Sequence, residues 1–227
     1  LRERLIEARR PESAGPFSGR LRRPPDGDGV SRQESLVIEA ARSDSKALAG
    51  LNAAAIVAAA QSMAGAPRIW IAGYRSCRSV ASLLHYQLRL FRPDDVRLVG
   101  GAGPEDCDFG AFRPDDVVIV IGFDPYSRVS VQTSQAALAG GAMLVAVADR
   151  PSAPIAEGAR HLLLFEPERT PAFFPSLAGA VCTVQALAAV MFELGRPASA
   201  ERLGESEARL AALAQYVPSP RKAEECP

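Results

Sequence analysis

Lysine is almost missing from this sequence. Apart from Lys46 and Lys222 its basic side chains are all arginine, most simply a coding bias rather than a function. Acidic and basic residues balance at 26 each, so the chain lacks the basic footprint that a nucleic-acid or polyanion binder needs. Cysteine is sparse and scattered: Cys77, Cys107, Cys182 and Cys226 have no paired spacing, and His85 and His161 stand far apart. No zinc signature can be assembled from them, and unpaired thiols without a signal peptide point to a reducing cytoplasm. A membrane-length apolar run is also lacking. The longest candidate, 48–63, is Ala-rich and carries Asn52 and Gln61, which reads as a helix of a water-soluble domain.

What is present is apolar core material in short alternating blocks. The 227 residues are 48% hydrophobic, enough for one domain of about 150 residues with helical additions. Residues 1–10 read as a charged helix with Leu1, Leu5 and Ala8 on one side, already in progress at the first residue. This is expected of a fragment whose preceding part is lost. Pro11 ends it, and 11–28 is a Pro-, Gly- and Arg-rich linker. Arg22 and Arg23 there are either solvated or phosphate contacts beside a lost DNA-binding domain. Ser31 and Glu34 have capping-box spacing, so a helix is expected over 31–51, followed by a second over 52–64.

Strands are then expected at 69–72, 96–99, 117–121, 144–147 and 162–165, alternating with helices at 76–91, 126–139, 155–159 and 172–194. Such alternation implies a parallel sheet covered on both faces, with right-handed crossovers. A flavodoxin-like order 2-1-3-4-5 puts strands one and three side by side at the switch point. An amphipathic helix over 200–215, along Leu203, Ala208, Leu210 and Leu213, precedes a disordered tail. The expected division is 1–30 helix and linker, 31–216 an α/β domain with added helices, and 217–227 tail. The hexapeptide Phe91-Arg92-Pro93-Asp94-Asp95-Val96 recurs at Phe112 to Val117 but goes no further, so it is turn chemistry rather than duplication.

Two strand-to-helix turns carry the functional signal. The run Val117-Val118-Ile119-Val120-Ile121 reads as a strand buried on both faces, and it stops at Gly122. Asp124 and Pro125 follow as an N-cap and first-turn pair. The earlier counterpart is Ile69-Trp70-Ile71-Ala72-Gly73-Tyr74-Arg75-Ser76-Cys77. A strand feeding directly into a helix N-terminus presents backbone N–H groups and a positive dipole end at the sheet's carboxyl edge.

With both turns in view, residues 68–194 resemble the sugar-isomerase (SIS) domain, and in particular the effector domain of RpiR-type transcriptional regulators. In that family a Gly-x-Gly-x-Ser turn follows strand one and Ser-x-Ser-Gly-x-Thr follows strand three, and their hydroxyls and amides hold a phosphosugar. The stretch Val147-Ala148-Asp149-Arg150-Pro151-Ser152-Ala153-Pro154 is similar to the family's Thr-Asp-x-x-x-Ser-Pro, and 1–10 and 31–51 are similar to the end of its helix-turn-helix domain and its connecting helix. The departures are specific. Arg75 stands at the second Gly and Cys77 at the Ser; Gly122, Asp124, Pro125 and Ser127 stand at the four defined positions of the second turn. Val129 replaces a Glu common among the superfamily's enzymes.

The resemblance implies a three-layer α/β/α sandwich with extra terminal helices. It implies a ligand set of Gly73, Arg75, Ser76, Cys77, Gly122, Asp124, Ser127 and Arg128, with no cofactor, no metal and no catalytic residue. Arg75 is a bidentate clamp for a carboxylate or phosphate, or a surface arginine. Asp124 is a helix cap that competes with phosphate, and a partner for Arg75 across the crevice. Cys77 is a buried stand-in for Ser, or a thiol activated at a helix N-terminus. His85 is packed or a base; His161 is structural; Phe173 and Phe174 line the pocket or the core. Two functions follow: a cytoplasmic, dimeric effector sensor of a regulator that reaches DNA through a missing N-terminal domain, or an aldose–ketose phosphosugar isomerase. Depleted hydroxyls and Val129 favour the sensor of a sugar phosphate or sugar acid.

Overall fold

β-Branched runs flanked by Gly, Pro and Asp fold into five strands: β1 Ile69–Gly73, β2 Val96–Leu98, β3 Val117–Gly122, β4 Met143–Ala148 and β5 His161–Leu164. The computed structural model describes residues 29–166 and 175–215. All strand pairs are parallel and the order is β2-β1-β3-β4-β5, as the sequence predicts. β1 and β3 run in register from Ile69 opposite Val117 to Gly73 opposite Ile121, so the two turns leave the sheet together.

Side chains alternate between the faces, as a pleated strand requires. Ile69, Ile71, Val117, Ile119, Ile121, Val145 and Val147 point to one layer, where α2 (Ala53–Met63), α3 (Cys77–Arg89) and α6 (Ala178–Leu194) close over them. Trp70, Ala72, Val118, Val120 and Leu144 point to the other, covered by α5 (Arg128–Ala139) and a 3₁₀ turn at Pro154–Ala156. Each of these aliphatic side chains contributes about 1.5–3 kcal/mol on burial. α1 (Gly29–Ala49) precedes α2, α4 (Glu105–Phe109) links β2 to β3, and α7 (Ala198–Ala212) follows α6.

Several local expectations are corrected. α1 is already helical at Gly29, so Ser31 lies inside the helix rather than ahead of it. Asn52 does cap α2, its Oδ1 accepting from Ala55 N–H at 3.0 Å. In place of the α-helix expected at 155–159 there is a 3₁₀ turn at Pro154–Ala156, and the short α4 was not anticipated. α7 meets the domain along Ser199, Leu203, Ser206 and Leu210; Ala208 and Leu213 are exposed. Small serines pack there because Ser206 Oγ donates to Leu90 O at 2.8 Å, which satisfies a buried hydroxyl. His161 donates to or accepts from Ser62 Oγ at 2.9 Å, a structural tie between β5 and α2. The expectations for 1–28, for Phe173 and Phe174 and for 217–227 lie outside the described residues. Among the described residues no single helix is long and apolar enough to cross a membrane.

Candidate functional site at the carboxyl edge

The first turn is built on a close approach. Gly73 is fully buried at the end of β1, and a Cβ there would lie 2.4 Å from Cys77 O and 2.8 Å from Ala81 Cβ. Its missing side chain lets the first turn of α3 sit against the strand, and it does not line the cavity described below. Gly73→Ala is therefore expected to cost about 1–3 kcal/mol by overpacking, seen as a lower denaturant midpoint with an unchanged slope.

Tyr74 and Arg75 follow. Arg75 adopts φ 55, the left-handed region that the resemblance reserves for Gly, and its side chain is exposed. Cys77 is 2% exposed, and burial, with the nearby Asp149 carboxylate adding to it, pushes its thiol up to about 12. The activated-thiol alternative thus fails, because desolvation outweighs the helix N-terminus. Iodoacetamide at pH 8 should label the exposed Cys107 and leave Cys77 untouched in the native protein, as read by peptide mass mapping.

The second turn departs further from expectation. α5 begins at Arg128 with Ser127 as N-cap, and the Ser127 side chain makes no capping hydrogen bond. Asp124 is therefore not the helix cap, and it does not compete for those amides. Its carboxylate pairs instead with Arg150, at 3.2 Å. No ion pair joins Arg75 to Asp124 among the described residues, which overturns the expected bridge; Arg75 sits exposed in a left-handed turn. Asp149, at the end of β4, holds the turn in place. It accepts a short hydrogen bond from Tyr126 O–H and one from Asp124 N–H, and Arg150 lies 3.6 Å from its carboxylate and over the Tyr126 ring. Burial first, and then the Asp149 contact, raises the Tyr126 phenol.

Between the turns lies a cavity of about 350 Å³, within the range of small-molecule sites. The first turn supplies Tyr74, Arg75, Ser76 and Cys77; the second supplies Gly122, Phe123, Pro125 and Ser127, with Ser130 from α5. Pro175 and Leu177 close one side. Of the expected ligand set, Gly73, Asp124 and Arg128 are not among the lining residues. That set lacked Tyr74, Phe123, Pro125, Ser130, Pro175 and Leu177. Ser130 was findable, lying one helical turn beyond Ser127 on the same face.

Gly122 explains part of the altered motif. A Cβ there would meet Ile155 Cδ1 at 3.1 Å, with Ser130 Oγ at 4.0 Å, so the hydroxyl sits on α5 rather than on the strand end. Tyr74 O–H and Thr133 O–H share a hydrogen bond of 2.8 Å that ties the first turn to α5. His85 is half-buried away from the cavity; burial and then Arg89 lower its pKa, and it contacts the Val96 backbone. Among the described residues no cluster of His, Cys, Asp and Glu is arranged to hold a metal ion. A larger, more open depression of about 750 Å³ near Asp115 and Arg160 is at the amino edge, away from both turns.

A family model described as the SIS domain matches residues 62–192. Among solved structures, the sugar isomerase domain of an RpiR transcription factor from Sphaerobacter thermophilus superposes with a TM-score of 0.69 at 20% identity, covering 78% of this chain and 98% of that one. The Vibrio vulnificus NanR protein, complexed with ManNAc-6P, gives 0.68 at 14% identity, covering 81% and 72%. A proposed sugar-phosphate isomerase from Listeria monocytogenes gives 0.62 at 14% identity, covering 84% and 100%. No curated protein matches the sequence significantly.

Proposed function

The chain belongs to the SIS domain family, and on that footing we propose that it is the non-catalytic effector domain of an RpiR-type transcriptional regulator, binding a sugar phosphate or sugar acid in the carboxyl-edge cavity. The observation that carries this reading is the make-up of that cavity. Among the described residues it brings Arg75, three serines (Ser76, Ser127 and Ser130) and the start of α5, where Ser127 makes no side-chain cap, around one space. A helix N-terminus with a nearby cation suits an anionic group. Aldose–ketose isomerisation also needs a base within about 3 Å of the transferred proton. Among the described lining residues there is no carboxylate and no histidine, and Val129 stands in place of the enzymes' Glu. The RpiR transcription factor domain with the same fold supports this choice.

The test combines binding with turnover. Thermal shift should register sugar phosphates, since ligand at a hundred times Kd adds about 2.7 kcal/mol of stability. Proton NMR of the same mixtures should show no aldose–ketose interconversion. Turnover that survives purification and is lost on mutation of the cavity would sink the sensor reading in favour of an isomerase.

In this reading the domain works in the cytoplasm as a homodimer and acts on DNA through residues outside the effector domain. α1 supports the dimer. Among its described residues it contributes only Ala47 to the buried core, while Val37, Ile38 and Leu48 are 70%, 49% and 41% exposed. Sedimentation at micromolar concentration is expected to give a dimer, and Val37→Glu with Ile38→Glu should shift it to monomer. Two-fold symmetric operators require such a pair of linked readers.

A further inference from the structure

A separate cavity of about 340 Å³ lies at the amino edge of the sheet, away from the two turns. Ala64 to Ala66, just ahead of β1, and Phe91, Arg92 and Asp95, just ahead of β2, form one part of its wall. The bend between α6 and α7 forms the rest. Two guanidinium groups meet there. Arg92 is a fixed charge: its side chain is 13% exposed, and its Nη2 and Nη1 donate to Ala66 O at 2.6 Å and to Ala64 O at 3.4 Å. Arg202 comes from the start of α7, is exposed, and has no ion-pair partner among the described residues. Burial first lowers the Arg92 pKa; Asp95, at 3.7 Å, opposes this, and Arg202 lowers it again. Asp95 is the only carboxylate among the described lining residues, so two cations face one anion.

Ser199 adds a buried hydroxyl. It is 6% exposed and lines the cavity, and its Oγ makes no hydrogen bond among the described residues. Gly195 makes room for it, since a Cβ there would lie 2.3 Å from Ser199 Oγ. The unmet donor is this side chain rather than the helix amides, because Ser199, Ala200 and Glu201 N–H already donate to Gly195 O and Pro197 O. A buried hydroxyl without a partner is costly, and so are like charges held together. One oxyanion relieves both, accepting from the hydroxyl and lying among the guanidinium groups. We infer that this amino-edge cavity is a second anion site, which holds a phosphate group, free or carried by a small molecule, among Arg92, Arg202 and Ser199. It is independent of the carboxyl-edge cavity and of the function proposed for it. An anion bound there ties α7 to the body of the domain, a second fastening beside the Ser206 hydrogen bond to Leu90 O.

Calorimetry with inorganic phosphate and with glycerol 3-phosphate tests it, on the whole chain carrying Arg75→Gly to remove the guanidinium of the other cavity. At least one probe is expected to bind this variant. Adding Arg202→Gln should weaken that binding by about tenfold or more, the loss of a charge-assisted hydrogen bond. Adding Ser199→Ala instead, which leaves every charge in place, should weaken it by about threefold. Arg202 is exposed and Gln is a good helix former, so the variant should fold, and its melting temperature without ligand checks that it does. Tighter binding of glycerol 3-phosphate supports a carried phosphate, and equal or weaker binding supports the free ion. If neither probe binds the Arg75→Gly chain, the inference is overturned. Binding that Arg202→Gln or Ser199→Ala leaves unchanged in a folded chain would also overturn it. Either failure leaves the carboxyl-edge site and its proposed function standing.

Discussion

Asp116→Ala is expected to destabilise the domain by about 3–5 kcal/mol, the usual cost of breaking a buried, hydrogen-bonded ion pair from one side. The Asp116 side chain is 1% exposed and accepts four hydrogen bonds. Arg68 Nε and Nη2 donate to its two oxygens at 2.9 Å each, Trp70 Nε1 donates at 3.2 Å, and Arg113 N–H donates at 3.0 Å. The carboxylate thereby fastens the entry of β3 to the start of β1, the two strands whose far ends carry the site. Alanine would strand the Arg68 charge, the buried indole N–H and a backbone N–H at once. At roughly 2–4 °C per kcal/mol for a domain of this size, the melting temperature should fall by about 6–20 °C.

The sequence echo supplies the control. Asp95 occupies the same place in the first hexapeptide, but its side chain is 43% exposed and its partner Arg92 lies 3.7 Å away. Asp95→Ala should cost no more than about 1 kcal/mol, as exposed pairs do. Urea unfolding of the two variants side by side decides the matter. Equal losses would mean that the Asp116 network is not what holds β3 to β1.

That contrast also marks what a sequence can and cannot carry. The strand order was legible because Val117 to Ile121 and Leu144 to Val147 are apolar on both faces, a pattern set by burial alone. The two hexapeptides were not separable by reading, since only tertiary packing buries one Asp and leaves the other wet. The start of α5 was misplaced for a related reason. Asp124-Pro125 carries the local signature of a helix start, yet Asp149, 25 residues away, holds Asp124 and Tyr126 in an extended turn and delays the helix to Arg128. Strand spacing suggested an Arg75–Asp124 pair, but spacing says nothing of direction, and Asp124 pairs with Arg150 instead. The place of the site at the switch point was legible; its walls were not, because Leu177 and Pro175 reach it from a distant loop.

The positive φ makes Arg75 the position where stability and binding should part. An L-residue held at φ 55 pays about 1 kcal/mol or more relative to Gly. Arg75→Gly relieves that strain but adds backbone freedom to the unfolded chain, which offsets part of the gain. The variant should be as stable as the parent, or more stable by up to about 1 kcal/mol. It should lose affinity nonetheless, because it removes the one guanidinium among the described lining residues. A charge-assisted hydrogen bond contributes about 1.5–3 kcal/mol, so sugar-phosphate affinity should fall roughly 10- to 100-fold. Arg75→Lys completes the series. It keeps the charge and the strain but not the planar fork, so stability should stay at the parent level while affinity falls to an intermediate value. Calorimetry with glucose 6-phosphate and N-acetylglucosamine 6-phosphate, alongside urea unfolding, reads both effects. A glycine variant that binds both probes like the parent would remove Arg75 from the site, and one that loses stability and affinity together would make its role purely structural.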